Sequence, residues 1–180
     1  MAITSSIANF RSNFQGGTRP NRFLVTGGIG DTAIDDTSGF LIKATSLPAS
    51  TNGVIPVPYR GRVLKIPGDR MFAEWAITVI DDADESTDLR ALFTKWSNDV
   101  NAHVANTTQD PNLTETMTKW NVEMLSQKDD TPIRKIELHN CWPIEVAAVD
   151  LSYDTADSIT EFSVNLAYDF WTEAGATDSV

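Results

Sequence analysis

Three stretches of this chain alternate apolar and polar side chains with a period of two. Trp75, Ile77 and Val79 lie on one side of Glu74, Ala76 and Thr78, and Thr118, Trp120, Val122 and Met124 repeat the pattern against Lys119, Asn121 and Glu123. Phe162, Val164, Leu166, Tyr168 and Phe170 oppose Glu161, Ser163, Asn165, Ala167 and Asp169. Successive side chains of a strand point to opposite faces, so each stretch predicts a half-buried β-strand. Shorter runs predict strands at 22–26, 39–45, 61–66, 133–139 and 145–153, several joined by turn-rich pieces such as 127–131. Strands following one another this closely predict an antiparallel meander.

Helical spacing interrupts that pattern. Leu89, Leu92, Phe93, Trp96 and Val100 recur at helical intervals behind Asp82, Asp84, Glu85 and Asp88, which predicts one amphipathic helix at about 84–102, with Asp82 and Glu85 as a capping box. Ile3, Ile7, Phe10 and Phe14 would share one face of a helix over 3–14, cut off from the body by Gly16, Gly17 and Pro20. A polar linker covers 104–115. The fold class expected is mainly β with one flanking helix (α+β), an antiparallel sandwich or barrel-like body, and 180 residues suffice for one domain.

Charge narrows the function. Twenty-five Asp and Glu against fourteen Lys and Arg give a net charge of −11, which disfavours gripping nucleic acid, since phosphate binding needs clustered cations. The N-terminus has no basic region followed by an apolar run, and eighteen apolar residues never occur together, so neither a cleaved leader nor a membrane span is expected. Cys141 has no second cysteine to pair with and reads as a small, partly buried side chain. His139 alternates with Lys135 and Glu137 and reads as exposed; with His103 it is too isolated for a zinc site. The acidic pairs Asp35–Asp36, Asp81–Asp82 and Asp129–Asp130 adjoin turns or a helix start and read as solvated caps. Trp75, Trp96 and Trp120 lie on apolar faces, favouring core packing over a sugar-stacking platform in a monomeric carbohydrate-binding sandwich.

One stretch imitates a cofactor site. Gly28, Gly30 and Ala33 follow the apolar run Phe23 to Val25, as in a dinucleotide-binding turn. That turn requires a helix, a parallel strand and an acidic ribose ligand about twenty residues on. Eight residues separate Gly30 from Gly39, and no Asp or Glu occurs from Thr37 to Gly68. A crossover needs roughly a dozen residues or more, so 27–36 reads as a loop in which Gly27, Gly28 and Gly30 take positive φ. No cofactor, metal or catalytic residue is expected.

Residues 46–69 are unlike the rest. Pro48, Pro56, Pro58 and Pro67 punctuate Val54, Ile55, Val57 and Tyr59, and every charge before Asp69 is positive. A proline-guarded, apolar and basic hairpin on an acidic protein suggests self-association.

Seven separated blocks then agree in order and spacing with a known family: "RPNRFLV", "KATSLPAS", "IPVPYRGR", "IPGDRMFAEWAITVIDD", "DLRALFTKW", "KIELHNCWPIEV" and "LSYDTADSITEFSVNLAYDFW". From Arg19 to Trp171 the chain resembles the tail tube proteins of contractile-tailed bacteriophages of the T-even type, related in fold to type VI secretion tube proteins. The resemblance implies a structural virion protein, assembled in the host cytoplasm. Its homohexameric rings would stack into a tube whose β-barrel lumen conducts DNA, without specific binding, when the sheath contracts. Its partners would be the sheath protein, baseplate hub, tape-measure and tail terminator proteins. A baseplate tube-initiator, or the tube of a phage-derived injection device, is the adjacent reading.

On this resemblance the chain divides into an N-terminal arm 1–18, a β domain 19–172 with an inter-ring hairpin at about 46–68, and a tail 173–180. The contact residues implied are Val54, Ile55, Val57, Tyr59, Arg60, Arg62, Lys65 and Arg70 in the hairpin, with Phe10 and Phe14 in the arm. The polar strand face carrying Ser163, Asn165 and Asp169 would line the lumen or else face the sheath. Residues 27–36, 101–116 and 173–180 depart from the family pattern.

Overall fold

The alternation at 161–170 forms two strands that diverge at Tyr168. In the computed structural model, which describes residues 7–14, 17–30, 32–34, 38–82, 88–108 and 116–173, the elements in chain order are α1 (Ile7–Asn13), β1 (Phe23–Ile29), β2 (Thr32–Ile34), a 3-10 turn (Ser38–Leu41), β3 (Ile42–Thr45), β4 (Thr51–Tyr59), β5 (Arg62–Met71), β6 (Trp75–Ile80), α2 (Leu89–Val100), β7 (Thr118–Leu125), β8 (Pro132–Val146), β9 (Glu161–Ala167) and β10 (Phe170–Glu173). All but two strands join in the antiparallel order β2-β1-β7-β8-β9-β6-β3, with β10 also on β8; β4 and β5 pair only with each other.

β8 belongs to both halves of this sheet. Residues up to Cys141 pair with β7 and β10, and from Trp142 onward it pairs with β9. Asn140 makes the corner at φ 58, a left-handed conformation that Asn tolerates better than most side chains. Its amide Nδ2 donates to Asp169 Oδ2 at 2.7 Å, and Asp169 N donates to the His139 carbonyl at 3.1 Å, so the break between β9 and β10 is pinned to the bend in β8. Phe170 therefore leaves the apolar row. It is 43% exposed, and its ring stacks on His139 at 4.5 Å. His139, expected exposed, is half-buried and bonds to Thr172 Oγ1 at 3.0 Å.

The core lies beneath α2. Trp120 is fully buried, with the rings of Trp75, Phe93 and Trp96 at 5.8, 6.0 and 6.4 Å. The indole of Trp96 donates to the Thr116 carbonyl at 2.7 Å. These three tryptophans are core residues and offer no surface for stacking sugars. Cys141 is more deeply enclosed than expected. Burial pushes its thiol from the usual 9.0 up to about 12. Because the thiolate is the reactive form, the folded chain should resist alkylation at neutral pH and take up one equivalent on denaturation, as mass spectrometry would record. The native state holds this proton more tightly than the unfolded chain, so the site's contribution to stability is present below pH 9.0 and declines as pH rises toward about 12.

Several local expectations are corrected. Gly27 and Gly28 belong to strand β1, and among the described residues of 27–36 only Gly30, at φ 54, takes positive φ, in the turn to β2. Gly27 is required for space: a Cβ there would stand 2.3 Å from Trp120 Cδ2. α2 starts at Leu89 and is capped by Asp88, whose carboxylate accepts from Ala91 N at 2.9 Å; Asp82 lies outside the helix, and Glu85 outside the described residues. Residues 39–45 divide into the 3-10 turn and β3. The strand expected at 145–153 stops at Val146, and 147–160 has no regular structure.

Candidate assembly surfaces

The β4–β5 hairpin is set by its turn. Arg60 and Gly61 both have positive φ, 46° and 81°, the pair a two-residue I′ turn needs to match strand twist. Tyr59 closes on Arg62, and the register runs back through Val57↔Leu64, Ile55↔Ile66 and Val54↔Pro67. One face therefore carries Ile55, Val57, Tyr59, Leu64 and Ile66. The other carries Val54, Pro56, Pro58, Val63 and Pro67 around Lys65.

Both faces are open to solvent. Leu64 is 61% exposed and Ile55 52%, although aliphatic side chains like these normally mark a core. An isolated two-stranded hairpin is marginal in water, and this one leaves its apolar surface without a cover in the monomer. Its edges are closed differently. Starting from the hydrogen-bonded pair Tyr59↔Arg62, antiparallel alternation points the N–H positions of Pro56 and Pro58 on β4 and of Pro67 on β5 outward, so donors are missing there, while Val54, Val63 and Lys65 keep theirs. The hairpin's larger uncovered surface is its two apolar faces.

The hairpin's root is fixed. Trp75 Nε1 donates to the Ser46 carbonyl at 2.7 Å and Trp171 Nε1 to that of Ala49 at 3.4 Å, holding the lead-in to β4. Gly53 and Gly68 face each other across the bulge above it, where a Cβ on Gly68 would lie 3.1 Å from the Gly53 carbonyl carbon. Of the cations, Arg60 and Arg62 sit at the tip, Arg60 over the Tyr59 ring at 5.4 Å; Lys65 lies midway, opposite Pro56, and Arg70 at the base, opposite Asn52. Val63, Leu64 and Ile66 extend the contact residues expected from sequence; the register set by the YRGR turn pairs them with Pro58, Val57 and Ile55.

Phe10 on α1 and Phe14 just past its end stack at 5.2 Å, 67% and 54% exposed; Ile3 lies outside the described residues. On β9, Ser163 and Asn165 pair with Thr78 and Ala76 of β6, and Asn165 Nδ2 donates to Glu145 Oε2 at 3.2 Å. Together they make a polar outer face on the β3-β6-β9 layer, bordered by the Lys43–Glu161 ion pair. Asp169 is exposed at the β8 corner, beyond that strand face.

On the other half of the sheet, Lys119 pairs with Glu137 at 2.9 Å, Lys135 with Glu123, and Arg134 with Glu173 at 3.1 Å. The hydrogen bond from Lys119 holds the Glu137 carboxyl below its usual range. Of the acidic pairs, Asp129 accepts from Thr131 Oγ1 at 2.8 Å and Asp130 pairs with Arg22, both turn-stabilising roles; Asp35 and Asp36 lie outside the described residues. Among the described residues no group of three or more His, Cys, Asp or Glu is arranged to hold a metal ion, and no helix is long and apolar enough to cross a membrane.

The chain is 31% identical over 153 residues to the tail tube protein gp19 of Enterobacteria phage T4, covering 85% of this chain and 90% of that protein. Among solved structures, a chain of the anti-feeding prophage tube-terminating cap matches with a TM-score of 0.65 at 16% identity, over 98% of this chain and 100% of that one. A chain of the PVC sheath–tube complex, an extracellular contractile injection system in its extended state, matches at 0.60 and 15%, over 94% and 98%. At those identities the likeness is one of fold. Residues 9–174 match the family described as "Phage tail tube protein". With a match spanning nearly the whole β body and its uncovered hairpin, the chain belongs to the phage tail tube protein family and is a structural component of the virion tail.

Proposed function

We propose that this chain is the subunit of the inner tube of a contractile tail. Copies close into hexameric rings whose inner strands join in one β-barrel, and the rings stack through the β4–β5 hairpin. The observation that carries this reading is the hairpin itself, apolar on both faces, rooted by two tryptophan indoles and uncovered in the monomer. A second copy supplies the missing cover.

In this tube the polar face of β9, with Ser163, Asn165, Thr78 and Glu145, lines the lumen. Small hydroxyl and amide groups with a carboxylate offer phosphates no cation to settle on, and the bordering Lys43 is already held by Glu161, so duplex DNA slides through without a specific site. The ion-paired face of β7 and β8 is left for the outside, toward the sheath, and Phe10 and Phe14 of the arm provide a further contact between subunits. The fold likeness to chains from a sheath–tube complex and a tube cap supports sheath and terminator partners; baseplate hub and tape-measure proteins would complete the set.

Electron microscopy of the purified protein at high concentration tests the reading. Hollow rods of stacked six-fold rings are expected. A strictly monomeric protein by light scattering, under conditions where tails assemble, would overturn it.

A further inference from the structure

We propose that the socket for the hairpin is the 147–160 segment of the next copy; this rests on the hairpin being the inter-ring contact. Strand register places the two at opposite ends of one layer. Trp75 pairs with Leu166, and Thr45 with Ile77, so the hairpin, which interrupts the chain between β3 and β6, leaves at that end. Ile80 pairs with Glu161 and Val146 with Val164, so 147–160, which joins β8 to β9, lies at the other. Backbone bonds fix it there: Asp81 N donates to the Thr160 carbonyl and Ala147 N to that of Ser163, both at 2.9 Å. A copy displaced along the strand direction therefore presents its 147–160 segment to the hairpin of the one before. That contact is head-to-tail, and it repeats without closing, as a growing filament requires.

The chemistry of the two surfaces is complementary. Residues 51–71 carry Arg60, Arg62, Lys65 and Arg70 against Asp69, a net charge of +3, whereas 147–160 carries Asp150, Asp154 and Asp157 and no cation, a net charge of −3. None of those four cations or three aspartates is ion-paired with a described residue. Leu151 is 88% exposed, Ile159 71% and Tyr153 completely, around an open cleft of about 660 Å³. The segment is shaped by short-range bonds, such as Thr155 Oγ1 to the Ser152 carbonyl at 2.9 Å and Asp154 N to Ser152 Oγ at 3.2 Å, and offers no strand edge. The hairpin, with prolines at three of its outward edge positions, offers its apolar faces. The Ile55, Val57 and Leu64 face against Leu151, Tyr153 and Ile159, with Arg60 and Arg62 near the aspartates, satisfies both.

Charge reversal and cross-linking in the full chain test this. Asp150→Lys, Asp154→Lys and Asp157→Lys together should shorten tubes about tenfold or more, since like charges at an interface cost several kcal/mol. Adding Arg60→Glu, Arg62→Glu and Lys65→Glu to the same chain should restore length. Separately, Leu64→Cys with Tyr153→Cys should give an oxidant-dependent ladder of covalent oligomers in assembled tubes, while each single variant gives none, because buried Cys141 does not react. If excising the hairpin stops stacking but the triple aspartate reversal leaves length unchanged and no ladder forms, the socket lies elsewhere and the inter-ring reading stands. If excising the hairpin leaves length unchanged, the inter-ring reading itself fails.

Discussion

Excising residues 52–70, so that Thr51 and Met71, which already face each other, are joined by a two-residue turn, is expected to leave a subunit that folds as the parent does and forms no long tube. The hairpin pairs with no other strand and is solvent-exposed on both faces, so the core around Trp120 loses nothing when it goes. Assembly loses a great deal. Covering the half-exposed Val54, Ile55, Val57, Tyr59, Leu64 and Ile66 is worth on the order of 5–10 kcal/mol per hairpin before the costs of association. The unfolding midpoint should move by no more than a few degrees, while electron micrographs show short assemblies in place of rods. Unchanged tube length would remove the hairpin from the stacking contact.

The second large effect is expected at Gly27. Alanine places a Cβ 2.3 Å from Trp120 Cδ2 and 2.7 Å from Cε2 and Cε3. The indole cannot retreat, because Trp75, Phe93 and Trp96 surround it. Overpacking of this kind costs about 1–3 kcal/mol, and more where nothing can shift. For a chain of this size that corresponds to roughly 2–12 °C in the unfolding midpoint. Trp120→Phe shortens the ring facing Gly27, so Gly27→Ala should cost much less in that background. Double-mutant calorimetry reads this as a coupling between the two positions. Equal costs in both backgrounds would place the strain elsewhere.

Gly27 also explains why its stretch misleads a reader of sequence. Glycines after an apolar run suggest turns, because conformational freedom is a local property that can be argued from neighbours in the chain. The reason for this glycine is a tryptophan on another strand, more than ninety residues away, and nothing nearby records it. β6, β7 and β9 were legible because half-buried strands write their environment into every second residue, and α2 for the same reason at helical spacing. The end of β8 was not legible. Val149, Leu151 and Tyr153 alternate with Asp150 and Ser152 as a buried strand would, but the pattern only says that alternate residues are apolar, not that they are covered. The run from Phe162 to Phe170 failed for a related reason, since its alternation continues through a point where the chain moves from β9 to β10. In the hairpin, composition alone announced the surface, and pairing register was needed to add Val63, Leu64 and Ile66.

The three prolines of the hairpin bear on the protein before it is part of anything. Two adjacent strands rich in Val, Ile and Leu, with few acids, have the composition from which cross-β aggregates grow, and such growth proceeds by adding strands to an edge. Pro56 and Pro58 withhold two of the outward donors that a strand added beside β4 would need, and Pro67 withholds one beside β5. Before assembly, the stickiest element of the subunit is thus a poorer template for strand addition than its apolar composition alone would make it.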